Sequence, residues 1–224
     1  MTAAELFPVA LSLRVAAVSL AVVAPVGIAL AYLQSRQRYP GRGLVDAAVM
    51  LPLVLPPSVV GFLLIVVFGR SGPVGSWLSE FLGWRIIFSP AAAVLASSVV
   101  AFPLLVKTAQ PAIDSVPFEL EQVGRSLGLG PLATFFRVTL PLAWKGVVAA
   151  MVLAFARAMG EFGATLMFAG NIPGSTNTMP LELFAAYQAG DDERALFYVL
   201  VLTGFSCLVV LMASMLGRGV REHS

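Results

Sequence analysis

EQVGRSLGLGPLATFFRVTLP, residues 121–141, breaks an otherwise oily chain with charges, glycines and a proline. It is too polar to cross a bilayer and too patterned to be a limp linker. Around it, 58% of the 224 residues are hydrophobic and 12% are charged, where a soluble domain carries roughly 25% charged residues. The apolar residues gather into charge-free runs at Val15–Ser35, Ala47–Gly69, Ile86–Val106 and Ala195–Gly217. Each reaches the length of about 20 residues that a helix needs to cross a hydrocarbon core of about 30 Å. Leu142–Phe168 is as apolar but carries Arg157 and Glu161. The expected fold is an all-α integral membrane protein, one transmembrane domain over residues 1–224. Its five spans lie at about 10–34, 45–69, 88–107, 142–169 and 195–217, and the loop at about 117–141 joins the third to the fourth.

Lys and Arg concentrate in cytoplasmic loops, so their distribution orients the chain. Arg36, Arg38, Arg42, Lys107, Arg125, Arg137, Lys145, Arg218 and Arg221 fall on one side; Arg70, Arg85 and Arg194 fall on the other. The N-terminus is therefore expected outside, and the C-terminus and the 117–141 loop in the cytoplasm. The basic residues are scattered singly between spans, which reads as topology and not as a nucleic-acid surface. No cleavable leader is expected, because the first apolar run is too long and follows an acidic start.

The composition excludes most chemistry. His223 is the only histidine and Cys207 the only cysteine, so there is no Ser-His arrangement, no zinc spacing and no disulfide within the chain. No G-x-x-x-x-G-K-[ST] phosphate loop is present. The chain is expected to bind no metal and no cofactor and not to be an enzyme.

In the loop, Pro117 can open a helix whose first turn holds Glu119 and Glu121, where acidic side chains complement the helix dipole. Leu120, Val123 and Leu127 make a narrow apolar face. Gly128 and Gly130 stop this helix, and Pro131 starts a second short one, with Leu132, Phe135, Phe136 and Leu140, ending at Pro141. A helix–turn–helix lying flat on the cytoplasmic face predicts a docking surface for another protein; an interfacial helix resting on lipid headgroups is the alternative.

Two spans are irregular. In MLPLVLPPSVVGFLLIVVFG (50–69), Pro52, Pro56 and Pro57 remove backbone donors, and the freed carbonyls need a protein or water partner in lipid. In LAFARAMGEFGATLMFAGN (153–171), Arg157 and Glu161 share a helical face four residues apart, roughly 18 Å and 24 Å beyond Lys145. Charged residues inside a span face the bundle interior, and Gly160 and Gly163 permit close approach or unwinding. A gate or pathway element and a structural ion pair both fit. Ser58, Thr165 and Asn171 are candidate polar lining.

Gly128, nine intervening residues, then Val138-x-Leu140-Pro141 resembles the E-A-A-x-x-x-G-x9-I-x-L-P loop of bacterial ABC importer permeases. The register has departures: Gln122 stands where that family has Glu, Val123 and Gly124 stand at its two alanines, and Glu121 is one place early. YPGRGLVDAAVMLPLVLPPSVVGFLL (39–64) and FARAMGEFGATLMFAGNIPGSTNTMP (155–180) are similar to the oxyanion branch, molybdate permeases above all, with sulfate, thiosulfate and tungstate permeases as kin. The resemblance implies a multi-pass permease of the bacterial inner membrane that works as two copies. An ABC ATPase dimer, which binds ATP-Mg, and an external oxyanion-binding protein complete the importer. It further implies that Glu121, Gln122, Val123, Gly124, Gly128, Val138, Leu140 and Pro141 form the ATPase-coupling element. Ser58, Arg157, Glu161, Gly163, Thr165 and Asn171 are the candidate pathway or gate. The residues alone leave open an ion-coupled secondary transporter, for which Glu161 is the one mid-membrane carboxylate, and a membrane enzyme acting on lipid.

Overall fold

A computed structural model describes residues 3–221, with side chains for 5–215; His223 and the side chains of Arg218 and Arg221 lie outside the described residues. The secondary-structure elements among those residues are all helices, with no strand. Helix α1 (Ala3–Arg36) is followed by α2 (Arg42–Val54), α3 (Pro57–Phe68), α4 (Pro73–Phe81) and α5 (Pro90–Asp114). Then come α6 (Phe118–Ser126), α7 (Pro131–Thr134), a π turn (Phe135–Thr139) and α8 (Leu140–Met159). Finally, α9 (Gly163–Ala169), α10 (Met179–Gln188) and α11 (Asp192–Arg221) complete the described residues.

Among the described residues, four helices are long and apolar enough to cross a membrane: Glu5–Arg36, Pro90–Asp114, Pro131–Met159 and Asp192–Met215. Helices α2 and α3 pass the same test together but are bent by 113°. The cause is local. Pro56 and Pro57 hold the residues before them extended, and Leu55 and Pro56 have ψ of 144° and 136°. Pro57 then starts α3, where its missing N–H costs nothing.

The expected continuous span at 142–169 is two helices. Helix α8 ends at Met159, Gly160 and Glu161 turn the chain, and α9 restarts at Gly163. At its other end α8 is longer than expected. Pro131 opens a helix that runs through the π turn into α8, so Pro141 lies inside one element instead of dividing two. A proline ring clashes with the carbonyl four residues back, and the wider π turn absorbs that clash: the Leu140 N–H donates to Phe135 O, five residues back. The expected pair of short flat helices is therefore one short helix, α6, and the first turns of a long one. Helix α1 also carries exposed Arg14, which the orientation count omits.

Helices α1, α5, α8 and α11 form the main bundle. Buried alanines along α5 and α8, including Ala93, Ala96, Ala109, Ala150 and Ala154, let the backbones approach closely. A Cβ on Gly146 would stand 2.3 Å from the Ala112 Cβ. The core divides in two. One cluster joins α1, α2, α5, α8 and α11 around Ala31, Leu105, Val147 and Tyr198. The other joins the start of α1 and of α5 to α3 and α9 around Val15, Val60, Val100 and Phe168. The breaks at residues 55–56 and 160–162 separate α2 from α3 and α8 from α9, which is where the two clusters divide.

Candidate functional site

Helix α6 has two faces. Leu120, Val123 and Leu127 are exposed, Leu127 by 80% and Val123 by 57%, and Glu119, Gln122 and Arg125 stand in solvent beside them. The opposite face carries Glu121 and Gly124, both buried. The apolar stripe read from the sequence is thus an outward surface, fixed in place from behind.

Glu121, 0% exposed, is the fastener. Its Oε1 accepts from Arg36 Nε at 2.8 Å and from Thr139 Oγ1 at 2.8 Å. Its Oε2 accepts from the Tyr32 hydroxyl at 3.4 Å and faces Arg125 Nη2 at 3.7 Å. Arg36 Nη2 also donates to the carbonyls of Ile113 (3.0 Å) and Val116 (2.8 Å) at the end of α5. One carboxylate therefore ties α6 to the end of α1, to the end of α5 and to the π turn. The resemblance includes Glu121 in the ATPase-coupling element; in this structure its side chain turns inward, where Arg36 and Thr139 give it charge-assisted hydrogen bonds. Gln122, one residue on, is exposed.

Gly124 is held by space: a Cβ there would meet Leu129 Cδ1 at 3.3 Å and Val138 Cγ2 at 3.4 Å. Gly128 is held by conformation, with φ of +88°. The Gly128 N–H donates to Arg125 O (3.0 Å) and the Leu129 N–H to Gly124 O (3.1 Å), the paired bonds of a Schellman cap on α6. Val138 packs on Gly124, Leu140 packs against the larger core cluster, and Pro141 is exposed.

The second group of candidates meets at the two helix breaks. A Cβ on Gly163 would lie 2.8 Å from Pro57 Cβ and 3.5 Å from Ser58 N; one on Gly61 would lie 2.7 Å from Met167 Cβ and 2.9 Å from Ala164 O. Glycine on both sides thus lets α3 and α9 touch along their lengths. Arg157 Nη1 pairs with Glu161 Oε2 at 2.7 Å, and Glu161 Oε1 accepts from Ala164 N at 2.9 Å, capping α9. Ser58 is exposed at the start of α3. Thr165 is buried, and its hydroxyl has no partner.

Asn171 is not part of this group. It lies in the 170–178 loop, donates to Leu181 O at 3.3 Å, and lines a cavity of about 610 Å³ with Asn177, Glu182 and Arg194. There Glu182 pairs with Arg194 and accepts from Asn177 Nδ2 at 3.1 Å. The Met179 N–H donates to Ser12 Oγ at 2.7 Å, tying the loop to α1. Sequence reading passes over Ser12, Asn177 and Glu182, because their partners lie across turns or far along the chain. Among the described residues no cluster of three or more His, Cys, Asp or Glu could hold a metal.

Residues 23–222 match the family described as binding-protein-dependent transport system inner membrane component. The chain is 40% identical over 225 residues to the molybdenum transport system permease protein ModB of Escherichia coli (strain K12), covering 100% of this chain and 98% of that protein. The same-named protein of Haemophilus influenzae is 39% identical over 219 residues, covering 97% and 96%. That of Mycobacterium tuberculosis is 42% identical over 201 residues, covering 90% and 75%. Among solved structures, a bacterial ABC transporter that imports the acidic polysaccharide alginate superposes with a TM-score of 0.74 at 16% identity, covering 97% of this chain and 80% of that one. The methionine ABC transporter MetNI in an inward-facing form gives 0.63 at 19% identity, covering 98% and 94%. At those identities the structures speak for the fold alone. The full-length relatives and the family match agree with the apolar spans, and this multi-pass chain of the bacterial inner membrane belongs to the family of inner-membrane components of binding-protein-dependent transport systems.

Proposed function

We propose that this chain is the permease subunit of an ATP-driven importer that moves molybdate from the external side into the cytoplasm. The observation that carries the mechanism is the exposed apolar face of α6, anchored from behind by the Glu121 ion cluster. Full-length relatives named as molybdenum permeases carry the substrate. In this reading the N-terminus is outside, the C-terminus is cytoplasmic, and α2 with α3 forms one broken span among five. Two copies assemble with two ABC ATPase subunits, which bind ATP-Mg, and with an external oxyanion-binding protein.

The mechanism follows from stiffness and attachment. The ATPase grips Leu120, Val123 and Leu127. Because Glu121 ties α6 to α1, α5 and the π turn together, a displacement of α6 moves three spans at once instead of bending a loop. The breaks at 55–56 and 160–162, on either side of which the two core clusters lie, are where those clusters can shift against each other, with α3 and α9 moving together through their contact at Gly61 and Gly163. Ser58, at the exposed start of α3, faces the passage; Arg157 and Glu161 hold the break in shape. No cluster of arginines stands in the spans, so a dianion crosses without being trapped, as conduction requires. Asn171, Asn177 and the Glu182–Arg194 pair lie at the external mouth.

The test is uptake into proteoliposomes holding the chain, its ATPase and its binding protein. Molybdate should accumulate only with internal ATP and with the binding protein outside, and excess sulfate should compete poorly. Uptake driven by an ion gradient without ATP would refute the reading in favour of a secondary transporter, and stronger competition by sulfate than by molybdate would reassign the substrate.

A further inference from the structure

A crevice of about 490 Å³ opens between α1, α2 and α5, within the 300–1,000 Å³ typical of small-molecule sites. Its walls are apolar: Val22 and Val26 of α1, Val49 and Pro52 of α2, Val99 and Phe102 of α5. Val22 and Val26 are 56% and 61% exposed, so the crevice has an open side. Below it, toward the start of α2, the chemistry changes. Lys107 of α5 pairs with Asp46 of α2, and one turn further on Arg42 Nε donates to Gln34 Oε1 at 3.1 Å. Arg42 has no carboxylate partner among the described residues. Gln34 is 1% exposed, yet its Nε2 has no hydrogen-bond partner. Its amide orientation is fixed by Arg42, since turning it over would set donor against donor. The α2 N-terminus beside it has no side-chain cap. Arg42, Lys107 and Asp46 together leave a net positive charge, with an unused buried donor and an uncapped helix N-terminus.

We infer that this crevice is a binding site for one anionic phospholipid of the cytoplasmic leaflet, on the orientation proposed above. The phosphate sits between the Arg42 guanidinium, the Gln34 amide and the α2 N-terminus, with Lys107 just behind, and an acyl chain lies along Val26, Val49 and Phe102. The lengths agree. The rise from Gln34 to Val22 along α1 is roughly 18 Å, close to half of a core of about 30 Å, so a headgroup at Arg42 puts its chain in one leaflet of the crevice. Basic pockets between spans on the cytoplasmic side suit anionic headgroups. A soluble oxyanion would use the same polar groups but would leave the apolar crevice above them empty; Arg42 shares one face of α2 with the crevice-lining Val45 and Val49, at i, i+3 and i+7, and that alignment selects a lipid. With the lipid in place, α2 is held to α1 and α5 by more than its own contacts, which would make the mobility of the first half of the broken span depend on lipid composition.

The experiment uses the full-length chain in nanodiscs of equal phosphatidylglycerol and phosphatidylcholine, with the retained lipid weighed by native mass spectrometry. Phosphatidylglycerol should be retained about fivefold or more over phosphatidylcholine, the effect of one basic side chain at an anionic surface. Arg42→Gln should remove most of that preference. Ala48→Phe, in the apolar wall, should expel both lipids, and Val26→Trp at the open side serves if that variant does not fold. Millimolar inorganic phosphate should leave the lipid bound. Equal retention of the two lipids, or a preference unchanged in Arg42→Gln, would overturn the site. So would displacement by inorganic phosphate, which would make it a free-anion site, or cross-linking of Val26→Cys to Ala48→Cys between two chains, which would give the crevice to a second copy. Retention is measured without transport, so failure here is distinct from failure of molybdate uptake.

Discussion

Glu121→Ala is expected to destabilise the chain by about 3–5 kcal/mol, the range for removing one partner of a buried ion pair. The substitution leaves the Arg36 guanidinium, whose side chain is 9% exposed, facing a hole where the carboxylate stood. It also strips Thr139 and Tyr32 of their acceptor. Against a total of about 5–15 kcal/mol for an ordinary domain, that is a large fraction. Glu121→Gln keeps the shape and an acceptor for Thr139 but loses the charge, so it should fall between alanine and the parent. A double-mutant cycle with Arg36→Ala separates the pair from the packing. The double variant should be less destabilised than the sum of the singles by more than about 1 kcal/mol, as coupled neighbours are. Arg36 also serves the Ile113 and Val116 carbonyls, so its own removal costs stability and the rescue is partial. The measurement is thermal unfolding in detergent; an effect of Glu121→Ala under about 0.5 kcal/mol, the size of an unremarkable surface change, would remove the fastener from the account.

Glu161→Ala is expected to loosen the second helix break selectively. It deletes the cap on α9, a loss of about 1 kcal/mol, and leaves Arg157 without its 2.7 Å partner, at up to about 3 kcal/mol on insertion scales for a charge inside a span. Arg157 is partly exposed, so the second figure is an upper bound. Hydrogen exchange reads this directly. The Leu166 amide, which donates to Phe162 O at 2.7 Å across the first turn of α9, should exchange roughly 10- to 100-fold faster, since about 1.4 kcal/mol is tenfold. Amides in the middle of α5 should not change. Glu161→Gln, which can still accept from Ala164 N, should show a smaller effect. Equal acceleration in α5 and α9 would mean that the pair supports the whole bundle and not the break.

The sequence was informative where the physics is local. Span lengths follow from hydropathy, and the Schellman turn at Gly128 follows from glycine punctuation. The Arg157–Glu161 pair follows from i, i+4 spacing. The outward apolar stripe of α6 is also local, being set by Leu120, Val123 and Leu127. Three things were not fully legible. The break at 160–162 was legible only as an option that Gly160 and Gly163 left open, because Phe162 to Ala169 continues the apolar run and the reason to stop lies in α3, whose Pro57 and Gly61 meet Gly163 and Ala164. The inward turn of Glu121 depends on Arg36, 85 residues away. The contacts of Ser12, Asn177 and Glu182 depend on similarly distant or turn-specific partners. Helix α4 was within reach, since Gly72-Pro73 signals a start and Trp77 and Phe81 share a face, their rings 5.7 Å apart.

The central claim is that the exposed face of α6 receives motion from a separate ATPase. Its most direct test is a benzophenone label on Val123→Cys in a chain carrying Cys207→Ser, illuminated in transport-competent proteoliposomes. The account predicts a cross-link from residue 123 to the ATPase and none from the same label on Glu80→Cys, in α4, which the proposed orientation puts at the opposite end of the spans. A complex that transports molybdate while residue 123 labels only lipid, or while residue 80 labels the ATPase equally, would contradict it.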